Sequence, residues 1–401
     1  MSALVGLVAL AVVGGNALPV AAASAAPSPR PPGASTVTAF VVGGKISCGS
    51  PTSCLAIGDN LSNGADPTPV AEAWNGAAWR SVPVPAPKAS VAVLILADVS
   101  CRSATSCLVV GVYATLAGTG GERPYALTWN GKSLRPTAAL PVPKGDKFAS
   151  LNGVSCLTVS SCVAVGNLNV DTGHLAVEIW NGAKWTLRTP GIAGGAQFAL
   201  PSAVSCLSVT SCVVAGQTSP RTGDQRMLLA RWNGKSLTAM KAVSPAGAKN
   251  LSLSDVSCAS AKSCAATGRS ANEAGTSGFG FVEVWSGTSW TAHKVAAPKG
   301  DVESLLSGVS CRPSGRCVVV GGAITAKASR AMALSFNGKT WSAQPVPAPG
   351  TGKWSSFTNV SCPQANECVA IGEHGSTTAG NATSTPLGGV WNGSSWKLAA
   401  A

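Results

Sequence analysis

Charge is scarce in this chain: 11% of its residues are Asp, Glu, Lys or Arg, against 45% apolar. A disordered polymer needs the reverse balance, so that class is excluded. Histidine is rarer still, with only His174, His293 and His374, widely separated in sequence. Zinc sites combine closely spaced cysteines with histidine, and three scattered histidines do not make one. HExxH, GxSxG and phosphate-loop motifs are missing. No metal, no cofactor and no catalytic residue is therefore expected. Beyond the first 25 or so residues no apolar run reaches the length of a membrane span.

What is abundant is turn-forming residues and two markers in register. The chain has 46 glycines, 26 prolines, 14 cysteines and 12 tryptophans in 401 residues. Every cysteine belongs to a C-x5-C pair. The pairs are Cys48 with Cys54, Cys101 with Cys107, Cys156 with Cys162, Cys206 with Cys212, Cys258 with Cys264, Cys311 with Cys317 and Cys362 with Cys368. Between pairs runs a WNGxxW-like motif, beginning at Trp74, Trp129, Trp180, Trp232, Trp285, Phe336 and Trp391. Two independent markers thus agree on seven units of about 50 residues. The units start near 43, 96, 151, 201, 253, 306 and 357.

Each unit holds four short valine-rich runs, which read as strands rather than helices. In the third unit these end at Cys156, span Cys162–Gly166, span Leu175–Trp180 and span Lys184–Leu187. The Asn-Gly step between the last two runs is a hairpin signal that suggests positive φ at both residues. The expectation is an all-β, seven-bladed β-propeller with four antiparallel strands per blade and one disulfide hairpin per blade. Zinc ligation is the alternative for the cysteines and has little to support it. The tryptophans read as packing across the hairpin and between blades, because a binding site breaks the symmetry that a core motif keeps.

The N-terminal segment differs from the rest. Leu4–Val13 is apolar, and a run of small residues follows it to Ala26. Residues 1–25 are expected to be a cleaved export signal and 26–35 a Pro-rich linker, with the propeller over 36–401. An uncleaved membrane anchor is the alternative. Export fits a disulfide reading and places the protein outside the cell or on its wall. The run Thr36–Val42 is expected to add an edge strand or to latch the first blade to the last.

In layout the unit resembles kelch-type propeller repeats. It has a glycine after the second strand (Gly58, Gly111, Gly166) and a Trp on the fourth, followed by a Pro-rich step (Trp79–Pro85). The hairpin also resembles the Asp-box turn of sialidase-type propellers, with Asn for Asp. The whole of 36–401 is similar to secreted bacterial proteins built from Cys-pair and WNG repeats. These resemblances imply the fold and say little about activity. A sialidase-like mechanism would want an arginine triad beside a nucleophilic Tyr, and neither Tyr113 nor Tyr125 has such a setting.

Function is expected on the face carrying the long, variable loops between second and third strands. The candidate ligand-binding residues there are Asp59, Asn60, Tyr113, Asp171, His174, Arg221, Asp224, Arg226, Arg269, Glu373 and His374. Lys88, Lys144, Lys147, Lys249, Lys299 and Lys353 in the connections between units suggest a basic rim on the same face. The formal charge of +13 points to an anionic partner. A monomeric binding module for anionic polysaccharide follows, or for an extracellular protein. Nucleic acid is disfavoured because the basic residues are not interleaved with aromatics. The alternatives are a glycoside hydrolase, sialidase-like or lyase activity, with acids such as Asp171 and Glu373, or a protein-interaction scaffold.

Overall fold

The computed structural model describes residues 42–60, 68–89, 91–115, 121–168, 174–191, 198–219, 225–272, 278–295, 303–325, 328–350, 354–364, 366–378 and 381–399. The expected export signal, linker and most of the latch segment lie outside them. Seven four-stranded sheets follow one another, each made of four consecutive antiparallel strands. In blade 1 strands a to d are Val42–Ser50, Ser53–Asn60, Thr68–Trp74 and Trp79–Val82. Blade 7 ends with Trp354–Gln364, Glu367–Thr378, Asn381–Trp391 and Trp396–Ala399. The chain is thus an all-β, seven-bladed propeller, and among the described residues no helix is long and apolar enough to cross a membrane.

Strand a of each blade packs on strand a of the next, and strand a of blade 7 packs on that of blade 1. No described strand from one end of the chain joins a blade at the other end, so among the described residues the ring closes without a shared sheet. The apolar core is divided accordingly. One cluster joins Leu55 and Ile57 of blade 1 to Leu94 and Val109 of blade 2. Another joins Ile46 and Ala56 of blade 1 to Val369 and Ile371 of blade 7. Equivalent clusters fill the interfaces between.

A serine precedes the first cysteine of every blade, and its hydroxyl accepts the backbone N–H of the matching cysteine in the next blade. Ser47 accepts from Cys101 at 2.8 Å, Ser205 from Cys258 at 2.9 Å and Ser310 from Cys362 at 3.0 Å. Ser361 accepts from Cys48 at 3.0 Å, so the closing interface uses the same bond as the other six. Asp98, Asp255 and Asn359, three residues before a first cysteine, add longer ties. Asp98 takes the N–H of Val99 at 2.9 Å and of Val154 in the next blade at 2.8 Å. Asp255 does the same with Val256 and Val309, and Asn359 takes the N–H of Ile46 at 3.2 Å.

All seven C-x5-C pairs are bridged, each within its own a–b hairpin. Cys48 is joined to Cys54, Cys101 to Cys107, Cys156 to Cys162 and Cys206 to Cys212. Cys258 is joined to Cys264, Cys311 to Cys317 and Cys362 to Cys368. The opposed Cα atoms are 3.9–4.0 Å apart throughout. No described cysteine is free, so zinc ligation has no thiolate to draw on. In blades 2 to 7 strand a also bulges four residues before its first cysteine. The glycine on strand b answers that bulge: a Cβ at Gly111 would lie 2.0 Å from the Ile95 carbonyl oxygen. At Gly372 it would lie 2.0 Å from that of Ser356.

The Asn-Gly turn differs from its expected form. Trp74 pairs with Trp79, leaving a four-residue loop rather than a two-residue one. Only the glycine takes positive φ, +95° at Gly76. The Asn side chain instead accepts the two following amides, from Ala77 at 2.9 Å and Ala78 at 2.8 Å. An Asx turn therefore fixes the loop, and Asn is spared the left-handed region.

Candidate functional site

Strand register separates the blade ends into two faces. Cys48, Cys54, Trp74 and Trp79 form one row across blade 1, and Val42, Asp59 and Pro69 form the row at the other end. One face of the disc thus carries the disulfide hairpins and Asx turns, and is called the turn face below. The opposite loop face carries the b–c loops and the connections between blades.

The tryptophans of the turn face are structural. Trp74 and Trp79 sit with ring centroids 5.2 Å apart, and Trp180 and Trp185 repeat this at 5.1 Å. Of the first Trp residues, Trp129, Trp232 and Trp285 donate to their own a–b hairpins, Trp129 to the Ala104 carbonyl at 3.1 Å. Of the second, Trp185 and Trp396 reach back one blade, Trp396 to the side-chain oxygen of Gln344 at 3.0 Å, while the buried Nε1 atoms of Trp290 and Trp341 have no partner among the described residues. Their buried faces leave little aromatic surface for stacking a ligand.

On the loop face the expected site residues are spread round the ring. Asp171, Arg221 and Asp224 lie outside the described residues. Tyr113 packs edge-on against Tyr125, centroids 5.9 Å apart, and is part of the core between blades 1 and 2. Tyr125 donates to the Pro85 carbonyl at 2.8 Å, and burial, then Tyr113, pushes its phenol up to about 12. Asp59 is buried with Oδ1 unpartnered, and desolvation pushes its carboxyl up to about 7. Asn60 closes strand b beside it, and His174 opens strand c of blade 3 in solvent. Burial depresses Arg269, and Glu303 of the next blade partly offsets this. Glu373 accepts the Ser384 hydroxyl at 2.8 Å, and burial raises its carboxyl while that bond lowers it. His374, the next residue, points to the other side of the sheet and meets the Thr385 hydroxyl at 3.0 Å.

The expected basic rim is diluted there. Lys88, Lys144, Lys147 and Lys249 do lie on the loop face, but so do Asp59, Glu122, Asp146, Glu303 and Glu373. Lys299 and Lys353 lie outside the described residues.

Arg226 and Lys249, both expected on this face, line a cavity. Arg226 opens strand c of blade 4 and lines a space of about 500 Å³ with Met227, Met240, Lys241, Lys249 and Asn250. Asn250 holds φ at 46°, the left-handed region that favours glycine. Its Oδ1 accepts the Gln225 amide at 3.3 Å and its Nδ2 donates to the Asn272 carbonyl at 3.3 Å. Ser270 donates to the Lys249 carbonyl at 2.9 Å. The wall is thereby clamped between blades 4 and 5. Every charged side chain lining the space is cationic. Met240, Lys241 and Asn250 sit in an irregular connection, where no repeat marks them in the sequence.

Three buried glutamates, Glu72, Glu178 and Glu283, lie on strand c, two residues before the first Trp of the hairpin. Burial pushes Glu178 up to about 8 and Glu283 up to about 7, the latter against a bond from the Val243 amide at 3.0 Å. Asp98 near the axis is likewise pushed up to about 7, by burial first, against the pull of Lys45 and two amides. Its oxygens are engaged by the Val99 and Val154 amides, so it clasps blades. Among the described residues no group of three or more His, Cys, Asp or Glu is placed to hold a metal.

The turn face carries the charge that the loop face was expected to hold. Lys132, Lys184, Lys235 and Lys339 stand exposed on the Asx turns, and Lys262 and Arg316 on the disulfide hairpins. Arg80, Arg102, Arg135, Arg231 and Lys397 are exposed at the adjoining strand ends. Among the described residues Glu367 is the single exposed acid at that end.

No protein-family model matches the chain, and no curated protein matches its sequence. Solved structures do match in shape. A lectin from Burkholderia pseudomallei is 13% identical, with a TM-score of 0.53 over 90% of this chain and 99% of that one. The propeller domain of the Trilobed protease from Pyrococcus furiosus, described as having an open velcro topology, is 8% identical. Its TM-score is 0.50, over 91% of this chain and 99% of that one. At these identities the likeness is one of fold, and the chain is a seven-bladed β-propeller.

Proposed function

We propose that this chain is an exported carbohydrate-binding propeller and that its loop face takes an acidic saccharide in the cavity beside blade 4. The observation that carries this reading is the lining of that cavity. Arg226 and Lys241 supply charge for a carboxylate, and Arg226 has the planar fork that pairs with one. Met227 and Met240 supply polarisable apolar surface for the C–H face of a sugar ring. The hydrogen-bonded wall around Asn250 holds the shape before any ligand arrives, which lowers the entropic cost of binding. Seven bridged hairpins suit an oxidising compartment, in keeping with export and with residues 1–25 as the signal. That a lectin shares the fold is compatible with this reading.

The test is binding of the mature, oxidised protein to a panel of neutral and uronate-bearing oligosaccharides, with product analysis of each incubation. Uronate-bearing members should bind, and Arg226→Ala should weaken them at least ~10-fold, the worth of one charge-assisted contact. Equal affinity for neutral sugars, or full affinity in Arg226→Ala, would sink the reading. Released products would instead support a hydrolase or lyase, with Asp59 and Glu373 as the acids to replace first.

A further inference from the structure

We propose that the turn face is a second binding surface, which holds a flexible anionic polysaccharide independently of the cavity on the loop face. The repeat itself builds it. Each Asx turn is locked by its Asn side chain, as Asn130 accepts the amides of Lys132 and Ser133, both at 2.9 Å. A lysine in such a turn is presented outward from a rigid support, and Lys132, Lys184, Lys235 and Lys339 repeat this in four blades. Arg80 and Arg231 are held as well, each over an indole of the following blade, 5.8 Å from the Trp129 ring and 5.7 Å from the Trp285 ring.

With Glu367 as the only exposed acid at that end among the described residues, these cations have almost no local counter-charge. Their fields add, and a polyanion laid across them releases several condensed counterions at once. On the loop face, by contrast, Arg269 already faces Glu303.

The shape of the array selects the class of polymer. The cations follow the ring of blades, so a partner must curve to meet more than a few of them. Duplex DNA is stiff over about 150 base pairs and crosses such a ring in a line. Single-stranded nucleic acid is held by stacking on exposed aromatics, and the turn-face indoles are taken up by packing. A flexible chain with a carboxylate on successive sugars meets both requirements.

The experiment is retention of the oxidised protein on immobilised polygalacturonate across a salt gradient. Duplex DNA and polyglutamate serve as competitors. Retention at low salt should fall steeply as salt rises. Lys132→Gln, Lys184→Gln, Lys235→Gln and Lys339→Gln combined should flatten the log–log salt slope by up to about 3, at roughly 0.7 per lost contact. The melting temperature should not change, since all four side chains are exposed. Placed in an Arg226→Ala background, which removes the cavity's own uronate contact, the four substitutions should flatten the slope by the same amount. An unchanged slope in the fourfold variant overturns the proposal. So does competition by DNA or polyglutamate as effective as that by free polygalacturonate.

Discussion

The strands of the seven blades end on two faces that obey different rules. On the turn face every loop is short and its geometry is dictated by a motif: a disulfide closes one hairpin and an Asn side chain the other. Variation there is confined to side chains that point into solvent, and a weak preference for cations is multiplied by the number of blades. On the loop face nothing repeats. Acids and bases mix, connections differ in length, and one of them carries Asn250 at a left-handed φ beside a cavity. Repetition yields a broad, shallow, additive surface. Irregularity yields a single shaped one.

The harshest way to break this contrast is to remove the disulfides, which all lie at the turn face. Closing a hairpin of this size contributes roughly 2 kcal/mol in the chain-entropy model, less where the hairpin persists unfolded. Reduction should therefore produce the largest fall in melting temperature of any treatment here, on the order of 10 kcal/mol at most for the set. The intact mass should rise by two hydrogens for each bridge, from Cys48 and Cys54 round to Cys362 and Cys368. Thermal scans with and without reductant decide it, and an unchanged transition would mean that blade packing alone secures the hairpins.

Acid should act in the opposite sense and through other residues. The ordinary value for glutamate is 4.5, and burial holds Glu178 at about 8 and Glu283 at about 7. Asp59 and Asp98 stand at about 7 against 3.8. Between those limits the unfolded chain gives up protons that the folded one keeps, so stability falls as pH rises. It is full below about 4 and eroded progressively up to about 8. The melting temperature should be about 5 °C higher at pH 5 than at pH 8. Glu178→Gln should flatten part of that slope. A maximum of stability near pH 8 would contradict the buried-acid account.

Much of this was legible before any coordinates. Two motifs in register gave the blade count, the disulfides and the packing role of tryptophan, because those features recur identically. The Ser-Cys step recurs just as faithfully at Ser47, Ser100 and Ser361, yet its role is invisible without the neighbouring blade, whose cysteine amide is its partner. The edge strand or latch expected at Thr36–Val42 lies almost wholly outside the described residues. Tyr113, expected on a loop, lies half-buried on strand b and packs against Tyr125 on the adjacent strand, a contact that only the pairing reveals. The cavity was out of reach: Met240, Lys241 and Asn250 become neighbours of Arg226 only when two connections fold together. The lysines were readable at the N-G-K steps, and an antiparallel four-strand order puts those turns on the same face as the disulfide hairpins; their lack of exposed acidic neighbours was not.

A milder probe asks whether the closing interface differs from the others. Ser361→Ala removes the bond between blades 7 and 1, and Ser205→Ala its counterpart between blades 4 and 5. A neutral hydrogen bond contributes about 1 kcal/mol, and both substitutions should cost about that much if the ring is uniform. Urea midpoints would show it. A much larger loss at Ser361 would mean that the seam is the weak point and that the ring opens there first.

The smallest change tests the rule of the turn face at its one exception. Blade 5 has Ser286 where six blades have Asn, and its shorter side chain accepts one backbone amide, from Ser289 at 3.4 Å, while donating to the Ser289 carbonyl at 3.2 Å. An Asn in the same turn reaches two amides, as Asn337 does for Lys339 and Thr340, both at 2.9 Å. Gly287 already has the positive φ that the motif needs, +97°. Ser286→Asn should therefore stabilise the protein by about 0.5 kcal/mol, the worth of improving one exposed hydrogen bond. Polygalacturonate retention should stay as it was, because no cation is gained. A destabilised variant would mean that blade 5 keeps serine for a contact that the repeat does not explain. In that case the turn face would be less uniform than its geometry suggests.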